Sequence, residues 1–361
     1  MTEIPDPAVR AMRLTVAEMV ATSVHRPVLA ESRRDNFNAI RLALATGVLL
    51  SHSFPMLGAP EPILMGHALG NFCVHVFFAL SGYMITQSFA RSGSLLRYAL
   101  HRVLRIIPAL VVALLFTRSL ALRFGDFATN PIPHITNGSI WTIPWEILCY
   151  ILVGGLGTLG ILKVSRFNVF FAVMLIFAFA GGHWTNESYL VLMPLLLVFA
   201  GGSFLAIYES SINMRRSVLV AAICAILIQT EAWLHLVQRA VDSIPWLYGP
   251  GDGFIIVYTL IYLYSVPVLA LWLGRYVRPV IVCRADLSYG TYLYAWPVQQ
   301  VVVAIFAIAN WTLYPVLLFS IALAGTLSLA WPSWVLIERP ALRLKNIDLR
   351  RLRTQLRERI D

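Results

Sequence analysis

The sequence predicts an all-α bundle of about ten helices threaded through a membrane, with both termini cytoplasmic, and three observations predict it. Of 361 residues, 58% are hydrophobic and only 13% charged, and the mean hydropathy is +0.73, well beyond what a soluble domain needs to fill its core. Apolar runs near twenty residues, the length that spans bilayer hydrocarbon, recur along the whole chain. Basic residues are dense in every second connection and sparse in the others, which is the signature that orients a multi-pass protein.

The runs fall at roughly 38 to 57, 70 to 89, 98 to 120, 141 to 162, 167 to 182, 189 to 208, 217 to 235, 254 to 273, 287 to 309 and 312 to 337. Arg10, Arg13, Arg26, Arg33 and Arg34 precede the first; Arg91 and Arg97 follow the second; Lys163 and Arg166 follow the fourth. Arg215 and Arg216 follow the sixth, Arg275, Arg278 and Arg284 the eighth, and the tail after the tenth is rich in arginine. The opposite loops hold only Arg118, Arg123 and Arg239. Residues 1–37 contain no continuous apolar core and include Pro5, Pro7 and Pro27, so the first span is expected to serve as the insertion signal. The expected organisation is a cytoplasmic arm (1–37), a transmembrane domain (38–340) and a basic cytoplasmic tail (341–361) lying on anionic headgroups.

That topology accounts for nearly all of the net charge of +10 and removes nucleic acid as an expected partner. Cys73, Cys149, Cys224 and Cys283 lie in or beside apolar runs without CxxC spacing, so no disulfide framework is indicated. No metal site is expected either, since His67 and His75 stand eight apart with no carboxylate cluster nearby. Gly155 to Gly160 read GLGTLG, a formal match to a dinucleotide fingerprint. That motif needs a preceding strand, and here it ends an apolar helix, where small residues allow close helix packing.

Ionisable groups inside apolar spans are costly and mark function. RLALATGVLLSH in the first span places Arg41 and His52 eleven residues apart. At about 100° and 1.5 Å per residue, both leave one helix face about 16 Å apart. In HRVLRIIP of the third span, Arg102 and Arg105 are three apart and share a face. Beside Arg41 they form a cationic set suited to phosphates, although single arginines also snorkel to headgroups. Glu146 in WTIPWEILCY lies near the start of the fourth span. There it either caps the helix or, at the depth of His52, bonds the imidazole and raises its basicity. Trp141, Tyr150 and Tyr83 are the expected sugar platforms, within a wider aromatic set (Trp145, Tyr289, Tyr292, Tyr294, Trp296) that interfacial belts also produce. Gln299 and Gln300 inside the ninth span are expected to bond a neighbouring helix.

Six stretches carry a resemblance: NFNAIRLALATGVLLSHSFP, LGNFCVHVFFALSGYMIT, the arginine pair of HRVLRIIPAL, WTIPWEILCY, LSYGTYLYAWPVQQ and SWVLIERPAL. Over nearly its whole length the chain resembles the acyltransferase 3 family of membrane O-acyltransferases. The resemblance implies a bundle in the bacterial inner membrane that moves an acetyl group from cytoplasmic acetyl-coenzyme A to a sugar hydroxyl of an envelope glycan or lipid-linked oligosaccharide. It implies no permanently bound cofactor. His52 matches the family's essential histidine, Arg41 its partner arginine, and Arg102 with Arg105 the pair that holds the coenzyme. Two positions depart from the pattern: His75 stands where many members have aspartate, and Ala295 where many have histidine. Many members carry a fused extracytoplasmic hydrolase-like domain; none is seen here, which makes a separate extracytoplasmic transferase a candidate partner. A secondary transporter and a scaffold without chemistry are the competing classes.

Overall fold

The computed structural model describes residues 36–180, 187–230, 239, 252–277 and 285–344. Within them the chain is almost entirely helical: α1 (Phe37–His52), α2 (Leu69–Ser92), α3 (Leu95–Arg123), α4 (Ile143–Thr158), α5 (Val164–Ala180), α6 (Glu187–Tyr208), α7 (Met214–Leu227), α8 (Asp252–Arg275), α9 (Ser288–Ile308), α10 (Pro315–Ser333) and the short α11 (Arg339–Arg343). Each expected apolar run holds one of α1 to α10. Seven helical stretches among the described residues are long and apolar enough to cross a membrane. The N-terminal arm, most of the tail, and Cys283, Arg278 and Arg284 lie outside the described residues.

Burial sorts the helices into an inner and an outer set. In α2 and α9 about two thirds of the apolar window is buried within the protein (67%), whereas in α3 the share is 17%. A helix covered all round belongs at the centre, and one with a broad exposed apolar face borders lipid. Accordingly α9 packs on α10, α1 and α3, while α2 packs most extensively on α6. The start of α1 is tied to the end of α8: Asn36 N donates to Gly274 O (2.8 Å), and its side-chain amide donates to Leu273 O (3.1 Å) and Val277 O (3.0 Å).

Between α1 and α2 the chain makes a 3₁₀ turn and a two-stranded hairpin, Ile63–Leu64 against His67–Ala68. Both turn residues take positive φ, Met65 at 48° and Gly66 at 73°, the geometry that matches strand twist. Met65 is held there because its N–H donates to Gln229 (3.1 Å) and its carbonyl accepts the Tyr258 hydroxyl. His67 and His75, separate in sequence, meet edge to face with ring centroids 4.9 Å apart, and His75 Nδ1 pairs with the Tyr262 hydroxyl (2.8 Å).

The segment between α3 and α4 enters the bundle instead of passing over it. Asn130, Asn137, Ser139 and Thr142 are buried, and irregular backbone at such depth must find partners inside the protein. Here α9 supplies them. Asn137 donates to Leu293 O (3.0 Å), Gln300 donates to Ile132 O (2.9 Å) and Ile135 O (3.0 Å) and accepts from Asn130 (2.7 Å), and Trp296 donates to Ile135 O (2.8 Å). Gln299 makes the expected interhelical bonds, to Leu49 O (2.9 Å) and Ser53 Oγ (2.8 Å).

The α2–α6 contact depends on two glycines facing each other's backbone. A methyl group on Gly82 would strike the Phe199 carbonyl, and one on Gly202 would strike that of Ala79. In GLGTLG, Gly157 abuts Phe89, whereas Gly155 faces open space. Gly82→Ala is therefore expected to cost about 1–3 kcal/mol by forcing the helices apart. Gly155→Ala should be neutral or slightly stabilising. Melting temperatures of the two variants in detergent check the difference.

Candidate active site

The site grows from one carboxylate that sequence reading missed. Asp286 stands two residues before α9 and accepts from Ser288 at the helix start, through N (3.3 Å) and Oγ (2.5 Å). Its other oxygen takes Arg41 Nη1 of α1 (2.7 Å) and Arg105 Nη2 of α3 (2.5 Å). One anion therefore joins three helices. Burial alone would raise the Asp286 carboxyl, but Arg105 and then Arg41 outweigh it and hold it below the ordinary carboxylate range.

Arg102, one turn before Arg105 on α3, has different surroundings. Its guanidinium lies over the rings of Tyr150 (5.5 Å) and Tyr98 (5.9 Å), and Nη2 donates to Ser88 Oγ (3.2 Å). Its Nε is buried without a hydrogen-bond partner, and no carboxylate among the described residues pairs with it. Arg102 and Arg105 do share a face, but Arg105 is already matched to an anion while Arg102 is not. Both line a cavity of about 410 Å³ together with Arg41, Arg91, His101, Glu146, Tyr150 and Arg275. A second, narrow extension of about 50 Å³ adjoins it, sharing Arg41, Ser81, Arg105 and Glu146 and lined further by Val74, Phe77, Thr142 and Tyr292.

His52 lies at the far end of α1 from Arg41, and both residues face α9: Arg41 reaches Asp286, and the His52 ring meets Trp296 edge-on at 4.9 Å. The shared helix face read from the eleven-residue spacing is what the structure has. His52 Nδ1 is sealed without a partner, while the residue as a whole keeps partial exposure. The accessible edge of the imidazole is therefore the Nε2 side.

Three expected assignments are corrected. Glu146 does not bond His52; it accepts the Tyr150 hydroxyl and lines the arginine cavity. The reason is depth. The 3₁₀ turn Gly138–Thr142 carries the chain inward before α4 begins, so Thr142 already pairs with the Tyr292 hydroxyl (2.8 Å), one turn of α9 short of Trp296, and Glu146 lies one turn further from His52. Tyr150 is buried beneath Arg102 rather than presented to a sugar. Tyr83, 2% exposed, donates to Glu209 (2.8 Å), which also pairs with Arg275 Nε (2.5 Å) and Gln87 (2.9 Å). That network walls the arginine cavity. Trp141 alone of the three aromatics is exposed, on the turn before α4.

Residues missed in the sequence are Asp286, Glu209 and Glu338. Glu338 is 2% exposed on a π turn and has one oxygen without a partner. The available signal for Asp286 was an acidic residue two before a serine at the start of an apolar run, a capping pattern.

Removing the shared carboxylate strands two partly buried cations. Asp286→Asn is expected to destabilise the protein by about 3 kcal/mol at neutral pH. A carboxyl depressed in the folded state stabilises at any pH above its unfolded value and loses that contribution only as pH falls toward the folded value. The stability difference between wild type and variant should thus be equal at pH 8 and pH 5 and narrow only below about pH 4. Detergent melts across that range check it, and a difference already gone at pH 5 would contradict the clamp.

The acyltransferase domain family (acyltransferase 3) matches residues 34–335. Among curated relatives, a protein of Shigella phage Sf6 described as an O-acetyl transferase is 29% identical over 341 residues, 84% of this chain and 94% of the relative. Nodulation protein 10 of Rhizobium leguminosarum bv. viciae is 28% identical over 364 aligned positions, 88% of this chain and 95% of the relative. No solved structure matches. The transporter and scaffold classes give way to this result. The chain belongs to the acyltransferase 3 family and is an integral membrane enzyme that transfers an acyl group.

Proposed function

We propose that this enzyme moves an acetyl group from cytoplasmic acetyl-coenzyme A to a sugar hydroxyl of an exported or envelope glycan, with His52 as general base. The observation that carries the reading is that the arginine cavity adjoins a second, narrow cavity, the two sharing Arg41, Ser81, Arg105 and Glu146, and that the second is lined by Tyr292 of α9, one turn before the Trp296 that meets His52. Arg102, a cation that pairs with no carboxylate among the described residues, is the primary contact for a coenzyme phosphate, with Arg91 on the same cavity wall. The Arg41–Asp286–Arg105 cluster keeps one net positive charge and adds to the attraction. The excess of basic residues at this end of the bundle supports a cytoplasmic placement in the bacterial inner membrane.

A pantetheine arm has the length to reach from those phosphates to His52, and the hydrogen-bonded pair Thr142 and Tyr292, which stands between the narrow cavity and His52, has to part for the thioester to arrive there. His52 Nε2 takes the proton of the acceptor hydroxyl, the oxygen attacks the thioester carbonyl, the C–S bond breaks, and the proton passes on to the departing thiolate. Trp141, exposed near the His52 end, is the remaining candidate platform for a sugar ring. The acceptor, free glycan or lipid-linked oligosaccharide, and any separate extracytoplasmic transferase act at that end.

His52→Ala is expected to lower acetyl transfer to the glycan by at least about 10²-fold while acetyl-coenzyme A binding persists. Normal acetylation at normal protein level would refute the assignment. Single turnover with labelled donor and no acceptor should leave the protein unlabelled; label that depends on His52 would replace direct transfer with an acyl-histidine route. Arg102→Gln should weaken donor binding by about 1.5–3 kcal/mol, or roughly ten- to a hundredfold in Kd, measured by titration in detergent.

A further inference from the structure

The narrow extension stops before it reaches His52. Its far wall is the hydrogen-bonded pair Thr142 and Tyr292 (2.8 Å), with Phe77 edge-on to Tyr292 at 6.2 Å. Trp296 follows Tyr292 by one helical turn on the same face of α9, and its indole meets the His52 ring at 4.9 Å and 78°. The indole is therefore the next large group beyond the wall and the one beside the imidazole.

Several contacts fix that ring in place. Nε1 donates to Ile135 O (2.8 Å), and the ring lies against Gly138, where a methyl group would strike three of its atoms. One turn further along α9, Gln300 holds the same loop through Ile132 O and Ile135 O. Trp296 is 6% exposed. A side chain so restrained acts as a rigid wall and does not swing aside for each substrate.

We infer that Trp296 sets the length of acyl group this enzyme accepts, admitting acetyl and excluding longer straight chains. The inference rests on the donor reading of the arginine cavity and on His52 at the reacting end. A thioester carbonyl within reach of a hydroxyl activated at His52 has its acyl carbons beside the imidazole, in the volume that the indole borders. Each methylene beyond the acetyl methyl comes closer to a ring held by Ile135 O and by Gly138, and a hydrophobic pocket rejects one excess methylene by roughly ten- to two-hundredfold. The chemical step is unchanged: the ester C–O bond forms, the thioester C–S bond breaks, and the hydroxyl proton ends on the thiol.

The test compares acetyl-, butyryl- and hexanoyl-coenzyme A, each labelled in the acyl group, as donors to the glycan of membrane vesicles from the producing cells carrying wild type, Trp296→Phe, Trp296→Leu or Trp296→Ala. The readout is the ratio of kcat/KM between donors in one preparation, which is independent of how much protein folded. Wild type should prefer acetyl over hexanoyl by at least about a hundredfold. The preference should fall in order of side-chain size and drop below about tenfold in the smallest active variant. A wild type that uses hexanoyl as well as acetyl overturns the inference, as does a ratio that is the same in all active variants. If Trp296→Ala is inactive with every donor, the Phe and Leu ratios decide. Label transferred from none of the three donors by wild type defeats the donor reading itself, and the inference falls with it.

Discussion

A carboxylate shared by two arginines in a low-dielectric bundle is the constraint on which the rest of the structure depends. Bringing Arg41 and Arg105 into the protein without Asp286 would leave two partly buried cations without that counter-ion, an expensive state. Because Arg41 is on α1, Arg105 on α3 and Asp286 just before α9, satisfying those charges sets the positions of three helices at once. The consequences extend along each helix. Eleven residues beyond Arg41 is His52, ten beyond Asp286 is Trp296, and the two rings touch. The same cluster is short of one negative charge, and the cavity beside it contains Arg102, which pairs with no carboxylate among the described residues. A site built this way favours a ligand carrying several negative charges.

A second constraint comes from the segment between α3 and α4. Backbone that leaves helical geometry inside a membrane protein needs internal partners; Trp296 and Gln300 of α9 donate to its carbonyls at Ile132 and Ile135, and the Asn137 side chain accepts the Ser139 N–H. The same segment ends in Thr142, which with Tyr292 walls the narrow extension below His52. The imidazole consequently has Trp296 on one side and no charged partner at Nδ1 among the described residues. No fixed anion meets the ring at Nδ1 among the described residues, and the Nε2 edge is the one left accessible.

Much of this was legible in the sequence because hydrocarbon thickness and helical pitch are stringent rules. Each of the ten apolar runs holds a helix, with ends displaced by a few residues apart from α7, which is described only to Leu227; seven helical stretches among the described residues are long and apolar enough to cross a membrane, and the spacing of Arg41 and His52 matches their common face. Failures came where a side chain's depth depends on tertiary structure. Glu146 was placed by counting from a surface that α4 does not start at, since Gly138–Thr142 has already descended. Tyr83 and Tyr150 belonged to an aromatic set whose composition fits a sugar platform and an interfacial belt equally well. Their hydroxyls instead serve Glu209 and Glu146 beside the arginines. Asp286 stands in the connection before α9, outside the apolar spans, and reaches the site only through folding.

The claim that the arginine cavity and His52 form one donor site is tested most directly by a cryo-electron-microscopy structure with a non-hydrolysable acetyl-coenzyme A analogue. The account predicts phosphate density on Arg102 and the carbonyl carbon of the acetyl group within about 4 Å of where a hydroxyl bound at His52 Nε2 would lie. Density with the phosphates away from Arg102, or with the acyl end directed away from α9, would contradict it.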